Sequence, residues 1–208
     1  MDDREKRIAG LVVAGGKAVR MGADKPFMPF REGCLLDAVI ARVRPQVDAL
    51  MLNVRPEHVE RCRSRYGDEF ALLRDAYDGE TGPLGGVVAG LQELPSMGAA
   101  WLATFPCDTP FLPRDMVAKL QAAAIASVNV PVVAVASGTV QSLCALWPYQ
   151  SLSALRAGIA CGEFRSVWWA LDAMTAPRIE ISAEPHAFFN INTPDDLIEA
   201  ERLARGNL

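Results

Sequence analysis

The chain has 208 residues, half of them hydrophobic and 22% charged, with a formal net charge of −4. That length and composition suit one α/β domain with a sizeable core. The lack of a basic block argues against a non-specific nucleic-acid binder, which needs a cationic face. No apolar run reaches ~18 residues, so no membrane span is expected. The charged start, Met1 to Arg7, leads straight into the first motif, so no cleaved signal peptide is expected either.

Leu11 to Ala14 is an apolar run of the kind that forms a strand buried on both faces. Gly15 and Gly16 end it, and Lys17, Arg20 and Lys25 follow within ten residues. Bare backbone and nearby cations suit a polyphosphate, whose oxygens take backbone N–H groups while Arg and Lys neutralise charge. On the glycines alone, a strand followed by a solvated basic loop is the competing reading. Neither GxxxxGK[ST] nor GxGxxG is present, which excludes the Walker loop and the dinucleotide fingerprint.

Strand and helix patterns alternate from there. Apolar spacing predicts a helix over Leu35–Val43 and a short buried strand over Ala49–Val54. A polar helix over Glu57–Tyr66 follows, with Pro56 as a first helical residue. Phe70–Asp75 is the third strand, Leu84–Leu94 an apolar helix, and Ala100–Phe105 the fourth strand. Asp115–Ala124 reads as helix, Val130–Ala136 and Leu143–Leu146 as strands around a turn at Gly138. Gln150–Ile159 and Ser166–Ala173 read as helices, Arg178–Ile181 as a strand, and Pro194 to about Ala204 as the last helix. The alternation predicts a mostly parallel sheet covered by helices, with ligands at the carboxyl ends of the strands.

Those ends hold polar groups. Asn53, Asp75 and Asp108 each sit at or near a strand terminus, beside Gly15. Each alone has an ordinary explanation as a turn former or helix cap. Asp108 lies between Pro106 and Pro110, which stiffen its turn, and a carboxylate beside a triphosphate suits Mg²⁺. Asn190 and Asn192 alternate on an extended segment and so face the same way, and Thr193 or Asn192 precedes Pro194 as a cap. Five scattered cysteines without a CxxC fit reduced thiols in a cytoplasm, and His58 and His186 read as surface or packing residues.

The string Val13-Ala14-Gly15-Gly16…Arg20-Met21-Gly22…Asp24-Lys25 resembles the signature of nucleotidyltransferases of the nucleotide-diphospho-sugar transferase fold. With Pro106-Cys107-Asp108-Thr109-Pro110, Gly82-Pro83-Leu84-Gly85-Gly86 and Phe189-Asn190-Ile191-Asn192-Thr193-Pro194, it is most similar to the molybdenum cofactor guanylyltransferase family. The resemblance implies a single α/β domain over residues 1–208, a three-layer α/β/α sandwich with a Rossmann-like sheet. Its nucleotide half covers about 8–125 and its acceptor side about 126–208. It implies a Mg²⁺-dependent transfer of GMP from GTP to the terminal phosphate of molybdopterin, with molybdoenzymes or their chaperones as candidate partners. Lys25 and Arg20 would act on the phosphates, Val13 to Gly16 on the nucleotide, and Asp108 on the metal and nucleotide. Asn53 and Asp75 would recognise the nucleotide, and Asn190, Asn192 and Arg165 the acceptor. Two places depart from the family pattern: Val19, where relatives often carry Arg, and Gln141-Ser142, where they often show a His-Pro pair. The rival readings are a related enzyme with another base or acceptor, such as a cytidylyl or sugar-phosphate transferase, and a non-catalytic nucleotide-binding regulator.

Overall fold

The computed structural model describes residues 7–15, 24–77, 81–125 and 129–206. Strand β1 (Ile8–Val13) lies in the interior of a seven-stranded sheet. Around it stand β4 (Ala49–Asn53), β5 (Ala71–Leu73), β6 (Trp101–Pro106), β7 (Val132–Ala136), β8 (Thr139–Pro148) and β9 (Arg178–Glu180), in the order β5-β4-β1-β6-β8-β7-β9. β5, β4, β1 and β6 run parallel, β8 is antiparallel to both β6 and β7, and β7 pairs parallel with β9. The sheet is thus mostly parallel, as the alternation implies.

The period of two along β1 explains the layers. Ile8 and Val12 point into one cluster, together with Leu36 and Val39 of α1 (Leu35–Val43) and Leu120 of α4 (Met116–Ala124). Ala9, Leu11 and Val13 point into the other, against Leu84, Val88 and Leu91 of α3 (Pro83–Met97). That second face is completed by Leu155 of α5 (Ser151–Ala160) and Leu171 of α6 (Val167–Ala173). Both faces being covered, every residue of β1 is buried. Truncating Leu11 to Ala there would cost about 2–5 kcal/mol. A smaller cluster of Phe30, Leu35, Phe111, Ile191, Ala200 and Ala204 fastens α7 (Pro194–Gly206) to the body. No helix among the described residues is long and apolar enough to cross a membrane.

Three local features differ from the pattern in the sequence. Between Lys25 and α1 the chain makes a 3-10 turn (Lys25–Phe27) and a small hairpin of β2 (Pro29–Phe30) and β3 (Gly33–Cys34). Strands of two residues are too short to show periodicity. β8 begins at Thr139, well before Leu143, because Ser137 and Gly138 both take positive φ and close a tight hairpin that carries pairing to the turn. The α3 helix runs past Leu94 through Pro95 and stops at Gly98, whose left-handed conformation caps it.

Candidate active site

The strand register builds the site. Val13 lies level with Asn53 on one side and Pro106 on the other, and Asn53 lies level with Leu73. The segments leaving β1, β4, β5 and β6 therefore start from one row, and Gly15, Asn53, Asp75 and Asp108 gather at one sheet edge. Gly16, Lys17, Val19 and Arg20 lie outside the described residues.

On the β4–β5 side, Asn53 is 1% exposed. Its Nδ2 donates to Asp75 Oδ1 at 2.9 Å and to the Leu73 carbonyl at 3.4 Å. Its Oδ1 is buried and accepts no hydrogen bond among the described residues. An unsatisfied buried acceptor costs about 1–3 kcal/mol, so a donor brought to it is worth as much. Backbone approaches this amide from two directions. A Cβ added at Gly15 would stand 3.0 Å from Asn53 Oδ1 and 3.5 Å from Asp75 Oδ1, and one at Gly86 would stand 2.5 Å from the same amide oxygen. Only glycine lets the β1 loop and the first turn of α3 come this close. Close helix–sheet packing and the shape of the site have the same cause here. Asp75 itself is exposed.

On the β6 side, Lys25 Nζ donates to Asp108 Oδ2 at 2.5 Å and to Asn192 Oδ1 at 2.8 Å. The lysine and aspartate side chains are 11% and 16% exposed, so the pair is shielded from solvent. Among the described residues, Asp108 Oδ1 is engaged only by the Thr109 hydroxyl, at 3.3 Å. The Ile191 N–H donates to the Asp108 carbonyl at 3.0 Å, which ties the segment before α7 to the end of β6. Thr193 and Asp196 form a reciprocal cap there: the Thr193 N–H donates to the Asp196 carboxylate and the Asp196 N–H to the Thr193 hydroxyl. Asp196 also takes the Asn192 N–H at 2.9 Å, and that bond first, then the Thr193 hydroxyl, lowers its carboxyl below the usual range.

The two asparagines of this segment do different things. Asn192 touches Lys25, while Asn190 is exposed and its amide makes no hydrogen bond among the described residues. Arg165 is also exposed, with its Nε 3.5 Å from the Gly162 carbonyl, and it contacts none of the other site residues. Gln141 lines a separate cleft of about 470 Å³ with Phe188 and Phe189. Cys107, beside Asp108, is buried; burial, and then the Asp108 charge, push its thiol up to about 12, so it stays protonated and serves as packing.

One contributor was not legible as such. His58 is 3% exposed, and its Nε2 lies 3.0 Å from Asp24 Oδ1, the carboxylate just before Lys25. Its ring meets Phe27 edge-on, and the Arg61 guanidinium lies 4.2 Å above the same Phe27 ring. His58 and Arg61 thus hold both flanks of the turn that presents Lys25. A lone histidine on a polar helix gives no sequence signal for that.

Known proteins resemble the chain along most of its length. A family model described as the MobA-like NTP transferase domain matches residues 10–173. The molybdenum cofactor guanylyltransferase of Rhodopseudomonas palustris (strain BisB5) is 38% identical over 202 residues, covering 93% of this chain and 92% of that protein. The guanylyltransferase of Mesorhizobium japonicum is 37% identical, covering 94% and 95%. The chain belongs to the molybdenum cofactor guanylyltransferase family.

Among solved structures, the molybdopterin-guanine dinucleotide biosynthesis protein A of Archaeoglobus fulgidus superposes with a TM-score of 0.78 at 22% identity, covering 95% of this chain and 99% of that one. The 4-diphosphocytidyl-2C-methyl-D-erythritol synthase of Anaerococcus prevotii shares the fold as well, with a TM-score of 0.72 at 14% identity and coverage of 98% and 97%. The guanylyltransferase family therefore shares its fold with an enzyme named for another base.

Proposed function

We propose that the protein transfers GMP from GTP to the terminal phosphate of molybdopterin, forming molybdopterin guanine dinucleotide and pyrophosphate. Family membership supports the reaction class, and the Asn53–Asp75 pair supports the base. Asn53 Oδ1 has no donor, and Asp75 Oδ2 makes no hydrogen bond among the described residues. Two acceptors side by side suit guanine, whose N1–H and N2–H₂ are adjacent donors. Cytosine offers one amino donor beside acceptors, which would leave a buried oxygen facing a lone pair. This juxtaposition of free acceptors is the observation on which the reading rests.

In the reaction, an oxygen of the acceptor phosphate bonds to the α-phosphorus and the bond to the pyrophosphate oxygen breaks. The attacking group is already an anion, so no strong general base is needed, and alignment with charge neutralisation suffices. Lys25 supplies a shielded ammonium for the phosphates, and Asn192 and Asp108 fix its direction. Asn53 acts by orienting Asp75 and by offering its own oxygen. The backbone of Val13 to Gly15 walls the nucleotide, and Asn190 presents a free amide to the acceptor.

Mg²⁺ fits Asp108. One carboxylate oxygen holds only a long bond, and the described residues contain no cluster of three acidic, His or Cys groups. That matches the habit of Mg²⁺ to take one or two carboxylates and complete its shell with phosphate oxygens and water. When bound, it would neutralise charge on the triphosphate and the departing pyrophosphate. We place the reaction in a cytoplasm, which suits five unpaired cysteines.

Thermal unfolding tests the base assignment. With Mg²⁺ present, GTP at about a hundred times its Kd should add roughly 2.7 kcal/mol of stability, and CTP at the same concentration much less. Equal or greater protection by CTP contradicts the reading.

A further inference from the structure

A second concave site lies away from the nucleotide edge. The hairpin of β2 and β3, the outer side of α1 and the turn after Asp108 enclose a cleft of about 470 Å³, in the range of small-molecule sites. Its lining includes none of Gly15, Lys25, Asn53, Asp75, Asp108, Asn190 or Asn192. Its apolar part is formed by Phe30 and Phe111, whose rings meet edge-on with centroids 6.1 Å apart, and by Pro110.

Three guanidinium groups line it: Arg31 in the hairpin turn, Arg42 in the last turn of α1, and Arg114 just before α4. None is in an ion pair among the described residues. Burial lowers the Arg42 pKa, and the charges of Arg114 and Arg31 lower it further, as three neighbouring cations require. The two carboxylates at the rim do not offset them. Asp37 is taken by Arg65, by the Tyr66 hydroxyl at 2.7 Å and by the Cys34 N–H at 2.7 Å, and Glu32 is exposed in the turn. Arg31 is held at φ +53 while its N–H donates to Glu201 at 2.6 Å, which fixes the hairpin turn against α7. A chain of net charge −4 thus gathers three unpaired arginines around one apolar hollow.

We propose that this cleft binds the phosphate monoester of a small organic molecule, at a site separate from the reaction. A phosphate dianion concentrates charge in one compact group with three acceptor oxygens, which suits converging guanidinium forks. The carbon part of the ester would cover Phe30, Phe111 and Pro110. A dicarboxylate spreads its charge over two ends and leaves the forks less well used.

Titration calorimetry with sn-glycerol 3-phosphate as the probe tests this. The wild-type chain binds it, Lys25→Ala binds it equally well, and Arg42→Ala with Arg114→Ala binds it at least tenfold more weakly. The pair Arg42→Lys with Arg114→Lys falls between them, since charge remains and the fork geometry is lost. Succinate binds the wild type at least tenfold more weakly than the phosphate ester. Without ligand, the double alanine variant keeps a cooperative unfolding transition, so its loss of binding reports the site and not the fold. Undiminished binding by the alanine variant, loss of binding in Lys25→Ala, or equal affinity for succinate would each overturn the proposal.

Discussion

The two sides of the sheet edge are built by opposite means. At Asn53 and Asp75 the backbone does the shaping: glycines at 15 and 86 bring a loop and a helix against a buried amide, whose oxygen has no partner among the described residues. At Lys25 and Asp108 the charges already satisfy one another, and Asn192 adds a third contact from far along the chain. The first side is rigid and incomplete, which suits selection of a base. The second is complete but exchangeable, which suits phosphates that arrive and leave. Shape should therefore govern nucleotide choice, and the ion pair should govern turnover.

The largest effect should come from the charged side. Asp108→Ala removes the proposed metal ligand and the counter-charge of a shielded lysine, and turnover should drop by roughly two to four orders of magnitude. Measuring Tm alongside kcat separates chemistry from folding. Near-normal Mg²⁺-dependent turnover would remove Asp108 from the mechanism. Lys25→Ala should slow transfer or weaken GTP binding by a smaller factor.

Next comes the shaped side. Gly86→Ala would drive a methyl group into the Asn53 amide, which must move and release Asp75. We expect GTP affinity to fall at least tenfold, about 1.4 kcal/mol, while acceptor affinity changes little. If GTP binding survives and only stability falls, the glycine serves packing alone.

A smaller and more diagnostic effect separates the two asparagines. Asn190→Ala should raise the acceptor KM and leave GTP affinity within about threefold, under ~1 kcal/mol. Asn192→Ala frees Lys25 and should disturb both substrates. Identical profiles for the two variants would mean that the contact between Asn192 and Lys25 has no consequence in solution.

The smallest effect is at the turn before Lys25. The hydrogen bond from His58, with the charges of His58, Arg61 and Arg55, holds the Asp24 carboxyl below its ordinary value of 3.8. A depressed carboxylate stabilises above its ordinary pKa, and that contribution disappears as pH falls through the lower folded value. Asp24→Asn should thus differ from wild type near neutrality by under about 1 kcal/mol, as for an exposed pair. The difference should begin to fade below about pH 3.8 and be gone only below the lower folded value. Urea unfolding across pH 2–8 would show a different crossing point if another group dominates.

Much of this was legible because strong local signals coincide with the fold. The apolar run at Leu11–Val13 shows a doubly covered strand, and polar residues just beyond such runs mark the edge where ligands gather. Thr193 is one of the two caps that the sequence offers, and the structure adds Asp196 as its reciprocal partner. What stayed hidden is long-range. Nothing near Asn192 indicates that it reaches Lys25, 167 positions away. His58 reads as a surface or packing residue, and the fold decides for packing, on Phe27, and adds the contact with Asp24. Asn190 and Asn192 look equivalent from their alternation, and only the position of Lys25 separates them. The turn at Gly138 was legible, but the start of β8 at Thr139, directly after it, was not, since Thr139 to Ser142 lack an apolar run.

The most direct test follows the label in a single reaction. The protein is incubated with Mg²⁺, molybdopterin and GTP labelled at either the α- or the γ-phosphate, and the products are separated. The account predicts that α-label enters the pterin product only when acceptor is present, while γ-label leaves as pyrophosphate in equal amount. Label released as inorganic phosphate, or α-label transferred more readily from CTP than from GTP, would contradict it.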